Sequence, residues 1–224
     1  MLVVPEARVA PVLSIEPSIW YNPSLRTAIY VVPGLVGVIL TMTMVMLTSM
    51  AMARERERGT LEQLIVSPIR PIELVTGKIL PYVMIGYIQM SIVLFLGKSV
   101  FSVPIVGSVP LLYGLASFFI ATCLAVGLFF STIAQTQQQA MQMTAGFTLP
   151  NYMMSGFMFP FEGMPEPAQW FAECLPLTHF LRIVRGITLR GATFADLERE
   201  VIWLSGLLLI TMLATSLRFR KKLG

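Results

Sequence analysis

The chain has 224 residues, of which 55% are hydrophobic and 12% charged, with a formal net charge of +4 and a mean hydropathy of +0.75. Soluble domains carry roughly 25% charged residues, so this surface is too apolar for water and a bilayer is the simplest solvent for it. The basic residues sit at the edges of apolar runs and form no continuous patch, which argues against a nucleic-acid partner, and two cysteines, Cys123 in an apolar run and Cys174 in a loop, argue against a disulfide framework.

Residues 1–21 lack the basic region and apolar core of a secretory signal. A membrane span needs about 20 apolar residues. Residues 28–53 are free of charge and form the first expected span; residues 79–97 form the second. Residues 99–161 are uncharged throughout and too long for one helix. The polar run Gln135-Thr-Gln-Gln-Gln139 divides them into spans at 109–133 and 140–159. A fifth span covers 201–217 and is stopped by Arg218, Arg220, Lys221 and Lys222. The expected fold is all-α: a polytopic helical bundle of about five transmembrane helices. The transmembrane domain covers 28–218, between an extracytoplasmic segment at 1–27 and a cytoplasmic tail at 219–224.

Orientation follows from the basic residues nearest the span ends. Arg54, Arg56, Arg58, Arg70 and Lys78 cluster between spans one and two, and the C-terminal tail holds four more. Five alternating spans put both groups on one side, the cytoplasm. The stretch at 160–198 falls outside, although it also holds Arg182, Arg185 and Arg190.

The segment between spans one and two carries the sharpest pattern. Gly59 suits the left-handed end of a helix. Thr60 and Gln63 then form a Thr-x-x-Gln capping box. Leu61, Leu64 and Ile65 fall on one helical face, and Pro68 closes the pattern. The spacing predicts a short amphipathic helix over 60–66 at the membrane surface. It serves either as a solvated interface marker or as a grip for a soluble partner.

This segment closely resembles the coupling region of ABC-2-type transporter permeases, especially the bacterial drug-efflux branch. The resemblance rests on Arg54-Glu-Arg-Glu-Arg-Gly-Thr-Leu-Glu-Gln-Leu64, followed by Ser67-Pro68 and Gly77-Lys78. Tyr21-Asn-Pro-Ser-Leu25 with Val32-Pro-Gly34, Asn151-Tyr-Met-Met-Ser-Gly156 with Phe159-Pro160, and Pro176-Leu-Thr-His179 with Arg182-x-x-Arg-Gly186 agree with it, so that it covers roughly residues 20–224. The family pattern has an earlier span and, in this branch, an extracytoplasmic domain; neither is in this sequence, and the expectation is a truncated chain.

The resemblance implies a multi-pass permease subunit of an ATP-driven exporter in the cell inner (plasma) membrane. It would pair with a second permease, identical or related, and with a cytoplasmic ABC ATPase. No Gly-x-x-x-x-Gly-Lys-[Ser/Thr] phosphate loop occurs. The chain is therefore not expected to be an enzyme or to hold a cofactor; ATP and Mg belong to the partner ATPase. The implied coupling residues are Glu55, Glu57, Gly59, Thr60, Leu61, Glu62 and Leu64, the leucines for affinity and the glutamates for register.

Residues 161–196 hold turn residues and apolar stretches too short to cross, which suits re-entrant or interfacial helices. Their competing readings are an ordinary loop and an outer gate built on Pro160, Pro176, His179 and Arg182. His179 is the only histidine and is expected to be packed or hydrogen-bonded, not a metal ligand. Pro81 and Pro150 are expected to kink their spans. The methionines read by default as lipid-facing or packing residues, with a pliable apolar cavity as the alternative. No span centre holds an Asp, Glu, Lys or Arg, which disfavours an ion-coupled secondary transporter. A non-transporting anchor or assembly subunit is the other alternative. Drug-like amphiphiles are the substrates the family suggests, with lipid-linked glycans or an inorganic cation open.

Overall fold

A computed structural model describes residues 27–59 and 71–220. The expected surface helix at 60–66, the first 26 residues and the last four lie outside the described residues. Every regular element described is helical. In chain order these are α1 (Thr27–Glu57), α2 (Pro71–Ser99), α3 (Val109–Ile133), α4 (Gln137–Met154), a 3-10 turn (Phe161–Gly163), α5 (Glu166–Glu173), α6 (Pro176–Arg185), a π turn (Gly186–Arg190) and α7 (Phe194–Arg220).

The charge-free runs become the long helices because hydrocarbon offers the backbone no partner but itself. Among the described residues, four helices are long and apolar enough to cross a membrane: α1, α2 from Ile79, α3, and α7 as far as Arg218. α3 has the expected bounds, opened by Ser108, whose hydroxyl accepts from Leu111 N–H. The expected span at 140–159 departs from this. It folds as α4, which has 18 residues, starts at Gln137 and stops at Met154. That length rises only about 27 Å, short of the ~30 Å hydrocarbon core. The helix ends early because Gly156 takes φ +85° and turns the chain. α4 also carries Thr144, Thr148 and Asn151, all buried, and packs on α1, α3, α5 and α6. Protein, not lipid, covers its polar side chains.

α1 is the axis of the bundle and touches α2, α3, α4 and α6. Val36, Leu40, Met44 and Val45 of α1 share one core with Leu112, Phe119, Ile120 and Cys123 of α3, with Phe180 of α6 and with Leu204 of α7. Phe119 and Phe180 stack with ring centroids 4.1 Å apart. Lipid supplies little hydrophobic drive between helices, so close contact through small residues matters more. Gly127 of α3 provides it: a Cβ there would stand 2.8 Å from Thr48 Cβ and 2.8 Å from the Val45 carbonyl oxygen. α2 and α7 contribute Met90, Leu94, Leu197 and Leu204 to this core but leave most of their apolar surface uncovered, as Phe95 and Leu209 illustrate.

The segment between α4 and α7 dips into the bundle. Leu177 and Phe180 of α6 lie against Gly37, and Arg185 lies against Gly34. Gly37 is ten residues into α1, about 15 Å along its axis. α6 is therefore re-entrant, and α5 packs on it and on the end of α4. The π turn after α6 is capped from the α2–α3 loop, whose Val106 and Gly107 N–H groups donate to Thr188 and Ile187 carbonyls, both at 3.0 Å.

Candidate functional site

Chemistry-bearing side chains gather at the two ends of α1. At its C-terminal end the helix runs past the apolar core into Arg54–Glu57, and Gly59 ends it at φ +66°, the left-handed conformation expected for that glycine. Here α1 meets the start of α4. Thr136 opens α4 by accepting from Gln139 N–H at 3.1 Å. The Glu57 carboxylate accepts from Gln137 N–H at 2.9 Å and from its side-chain amide at 2.5 Å. Arg54 donates to Gln137 Oε1 at 3.1 Å, and Arg56 donates to the Ala134 carbonyl at 2.5 Å. A carboxylate at a helix N-terminus satisfies a donor that has no partner within the helix and faces the positive end of its dipole. Glu57 thus has a role inside the chain that the sequence does not announce. Glu55 is partly buried on the same turns. Thr60, Leu61, Glu62 and Leu64 lie outside the described residues.

At the other end, His179 of α6 is fully buried. Its Nδ1 lies 2.6 Å from Glu200 Oε2 of α7, and its Nε2 lies 2.8 Å from the Glu173 carbonyl of α5. Each ring nitrogen faces an oxygen at hydrogen-bonding distance. The ring stacks on Trp203 at 5.5 Å between centroids. Arg182, one turn on, donates to Glu173 Oε1 at 2.6 Å and lies 3.5 Å from Glu200. Its guanidinium also covers the Phe161 ring at 4.6 Å. Burial alone would lower this guanidinium, but Glu173 and Glu200 outweigh it and hold it above its ordinary value.

These contacts bring the four candidate gate residues into one neighbourhood. Pro176 opens α6, His179 and Arg182 tie α6 to α5 and α7, and Pro160 precedes the 3-10 turn whose Phe161 lies under Arg182. His179 is the packed, hydrogen-bonded histidine expected. Glu173, Glu200 and Trp203 are its partners, and no local pattern in the sequence points to them.

A second arginine stands in contrast. Arg185 lies over the Tyr30 ring at 3.7 Å, and its Nη1 donates to Tyr30 Oη and to the Gly156 carbonyl, both at 3.0 Å. Among the described residues its Nε and Nη2 are buried without a hydrogen-bond partner, as are both ends of the Asn151 amide and the Ser155 hydroxyl. Burial pushes this guanidinium below its ordinary value, with Tyr30 acting in the opposite direction. Between the end of α4 and the start of α5 an apolar cavity of about 370 Å³ is lined by Met153, Met154, Phe159, Pro160 and Met164 among others.

An all-α bundle with four membrane-crossing helices, a long axial helix and a re-entrant helix defines a polytopic membrane protein. The family described as ABC-2 family transporter protein matches residues 6–217, and the chain belongs to that family. It is similar to the inner membrane transport permease YhhJ of Escherichia coli, with 36% identity over 96% of this chain and 58% of the relative. It is also similar to the probable multidrug ABC transporter permease YbhR of the same organism, at 34% identity over 88% of this chain and 52% of that protein. A more distant relative is ABC transporter G family member 20 of Dictyostelium discoideum, 25% identical over 91% of this chain and 27% of its own length. The chain spans little more than half the length of the two bacterial relatives.

Proposed function

We propose that this chain supplies the membrane domain of a permease subunit in an ABC exporter. Residues 55–66 face the cytoplasm and dock on a separate ATPase. The second permease half is a copy of the chain or a related one. The observation that carries the reading is the reach of α1. One helix contacts the re-entrant α6 through Gly34 and Gly37, forms the core, and ends in the charged turns that meet α4. A lever that touches both ends transmits a push at one as a tilt at the other, provided the packing has two discrete arrangements. On this reading Leu61 and Leu64 fill an apolar groove of the ATPase, and Glu55 and Glu62 set its register, with Gly59 and Thr60 shaping the turn. Glu57 divides its carboxylate between the partner and α4. ATP and Mg stay in the partner, and Pro160, Pro176, His179 and Arg182 shape the outer gate. The relatives' names speak of multidrug transport, and an amphiphilic, drug-like substrate is the corresponding proposal here.

The test is a pull-down of the tagged permease from detergent-solubilised membranes, with and without Leu61→Asp/Leu64→Asp. The expected result is recovery of a soluble ATPase with the intact segment only. Equal recovery in both samples overturns the docking role of 61 and 64. No ATPase in either sample overturns the exporter reading in favour of a membrane anchor.

A further inference from the structure

Arg190 closes the π turn, and Asp196 lies in the first turn of α7. Both are exposed. Both line one hollow of about 290 Å³, together with Gly186, Gly191, Ala192 and Leu197. Among the described residues Arg190 makes no hydrogen bond and no ion pair. Asp196 is half used. Its Oδ2 accepts from the Thr193 N–H at 2.8 Å and from the Thr193 hydroxyl at 2.7 Å, which closes the start of α7. Its Oδ1 accepts from nothing among the described residues. The two charges are not within salt-bridge distance, although the Arg190 charge still acts on the Asp196 carboxylate. A cation and an anion thus line the same open hollow with a gap between them.

Their depth narrows the ligand. Residues 201–217 are the charge-free part of α7. Asp196 stands five residues before that run, about 8 Å along the axis. Lipid head groups occupy about 5–8 Å on each side of the hydrocarbon core, so the hollow opens at head-group level. Apolar surface adjoins it. A Cβ on Gly191 would lie 3.2 Å from Val106, and Val106 and Val109, at the outer end of α3, are 64% and 43% exposed. A phospholipid head fits the charges in kind. Its phosphate suits a guanidinium, and a free carboxylate oxygen needs a partner that donates. A primary ammonium donates; a choline head has no N–H to give, and a glycerol head brings no positive charge.

We propose that this hollow binds the head group of an ethanolamine phospholipid, with its phosphate on Arg190, its ammonium on Asp196 Oδ1 and its acyl chains over Val106 and Val109. Arg190 and Asp196 are open to the hollow as they stand, so the head group enters without moving the backbone. The site depends neither on the ATPase reading nor on the identity of the substrate.

The experiment titrates the delipidated chain in maltoside detergent with dioctanoyl phosphatidylethanolamine, read by calorimetry. The expected result is saturable binding of one lipid per chain, about fivefold tighter than dioctanoyl phosphatidylcholine. Arg190→Gln and Asp196→Asn are each expected to weaken it about threefold to fivefold, the range for exposed charge pairs. Asp196→Asn keeps an oxygen for Thr193, so Tm is expected to hold. Glu166→Gln, an exposed charge that lines neither this hollow nor Val106, is expected to change nothing. The comparison of head groups on the parent protein decides the matter where a variant does not fold. Phosphatidylcholine as tight as phosphatidylethanolamine overturns the proposal, and so does phosphatidylglycerol as tight or tighter. Free phosphoethanolamine as tight as the lipid overturns the lipid source. A preference for ethanolamine that survives both substitutions places its origin elsewhere and overturns the site.

Discussion

The C-terminal end of α1 is joined to α4 through side chains open to water: Glu57 and Arg54, both exposed, hold the half-buried Gln137. The re-entrant end is joined through side chains taken out of water. There His179 is fully buried, the Glu200 side chain is 13% exposed and the Glu173 side chain 21%. The same kinds of group thus do different work. Exposed polar pairs hold weakly and exchange readily with a partner or with solvent. Buried ones lock geometry, because removing one member strands the other. The proposed function, in which the α1 end engages and releases a partner while the re-entrant α6 keeps its register, fits that division.

The sharpest way to break the contrast is at Glu200. Glu200→Ala leaves His179 without its Nδ1 partner and Arg182 with Glu173 alone. The expected loss is about 3 kcal/mol, the upper end of the range for a buried group left without its hydrogen-bond partner. Thermal unfolding in detergent would read it as a clear drop in Tm, and an unchanged Tm would show that the network is not structural. The double variant Glu200→Leu/His179→Leu removes both members and is expected to recover much of the loss.

Gly107→Ala comes next. A Cβ there would stand 2.5 Å from the Ile187 carbonyl oxygen. Ile187 belongs to the π turn, so the clash falls on backbone that is already hydrogen-bonded to the same loop. Overpacking of this kind costs about 1–3 kcal/mol. The same unfolding measurement checks it, with Gly114→Ala, where a Cβ meets nothing within 4 Å, as the control without loss.

The two ends also differ in how far the sequence reveals them. Helix cores follow from charge-free runs, and Gly59 declares its turn because a glycine after a charged helical end has few other uses. α4 is harder. Its apolar composition past Met154 suggests continuation to residue 159, but the chain turns at Gly156, and the polar face of Thr144, Thr148 and Asn151 makes sense only once α1, α5 and α6 are seen to cover it. The α5–α6 pair is legible as turn residues between short apolar stretches. Its network is not: His179 and Glu200 are 21 residues apart, and Arg185 and Tyr30 are 155 apart. Contacts of that range leave no periodic trace. The π turn is equally silent, since its extra carbonyls are satisfied by Val106 and Gly107 from another loop.

The smallest expected effect is at Glu57, and it bears on the comparison most directly. Two roles compete for this carboxylate: a cap on α4 within the chain and a contact to the proposed ATPase. The side-chain hydrogen bonds from Gln137 hold it below the usual carboxylate range, which leaves it ionised at neutral pH. Glu57→Gln keeps an oxygen that can accept from Gln137 N–H but removes the charge, whereas Glu57→Ala removes both. If the carboxylate serves only α4, Glu57→Gln leaves Tm and substrate-stimulated ATP hydrolysis unchanged, and Glu57→Ala lowers Tm slightly. If its charge meets a basic residue of the ATPase, Glu57→Gln lowers stimulated hydrolysis while Tm holds. The expected outcome is the second, because an exposed pair contributes little to the fold of the chain yet faces outward on the turn that leads into residues 60–66. Hydrolysis that tracks Tm across both variants would assign Glu57 to the bundle alone and leave the grip on the ATPase to Leu61 and Leu64.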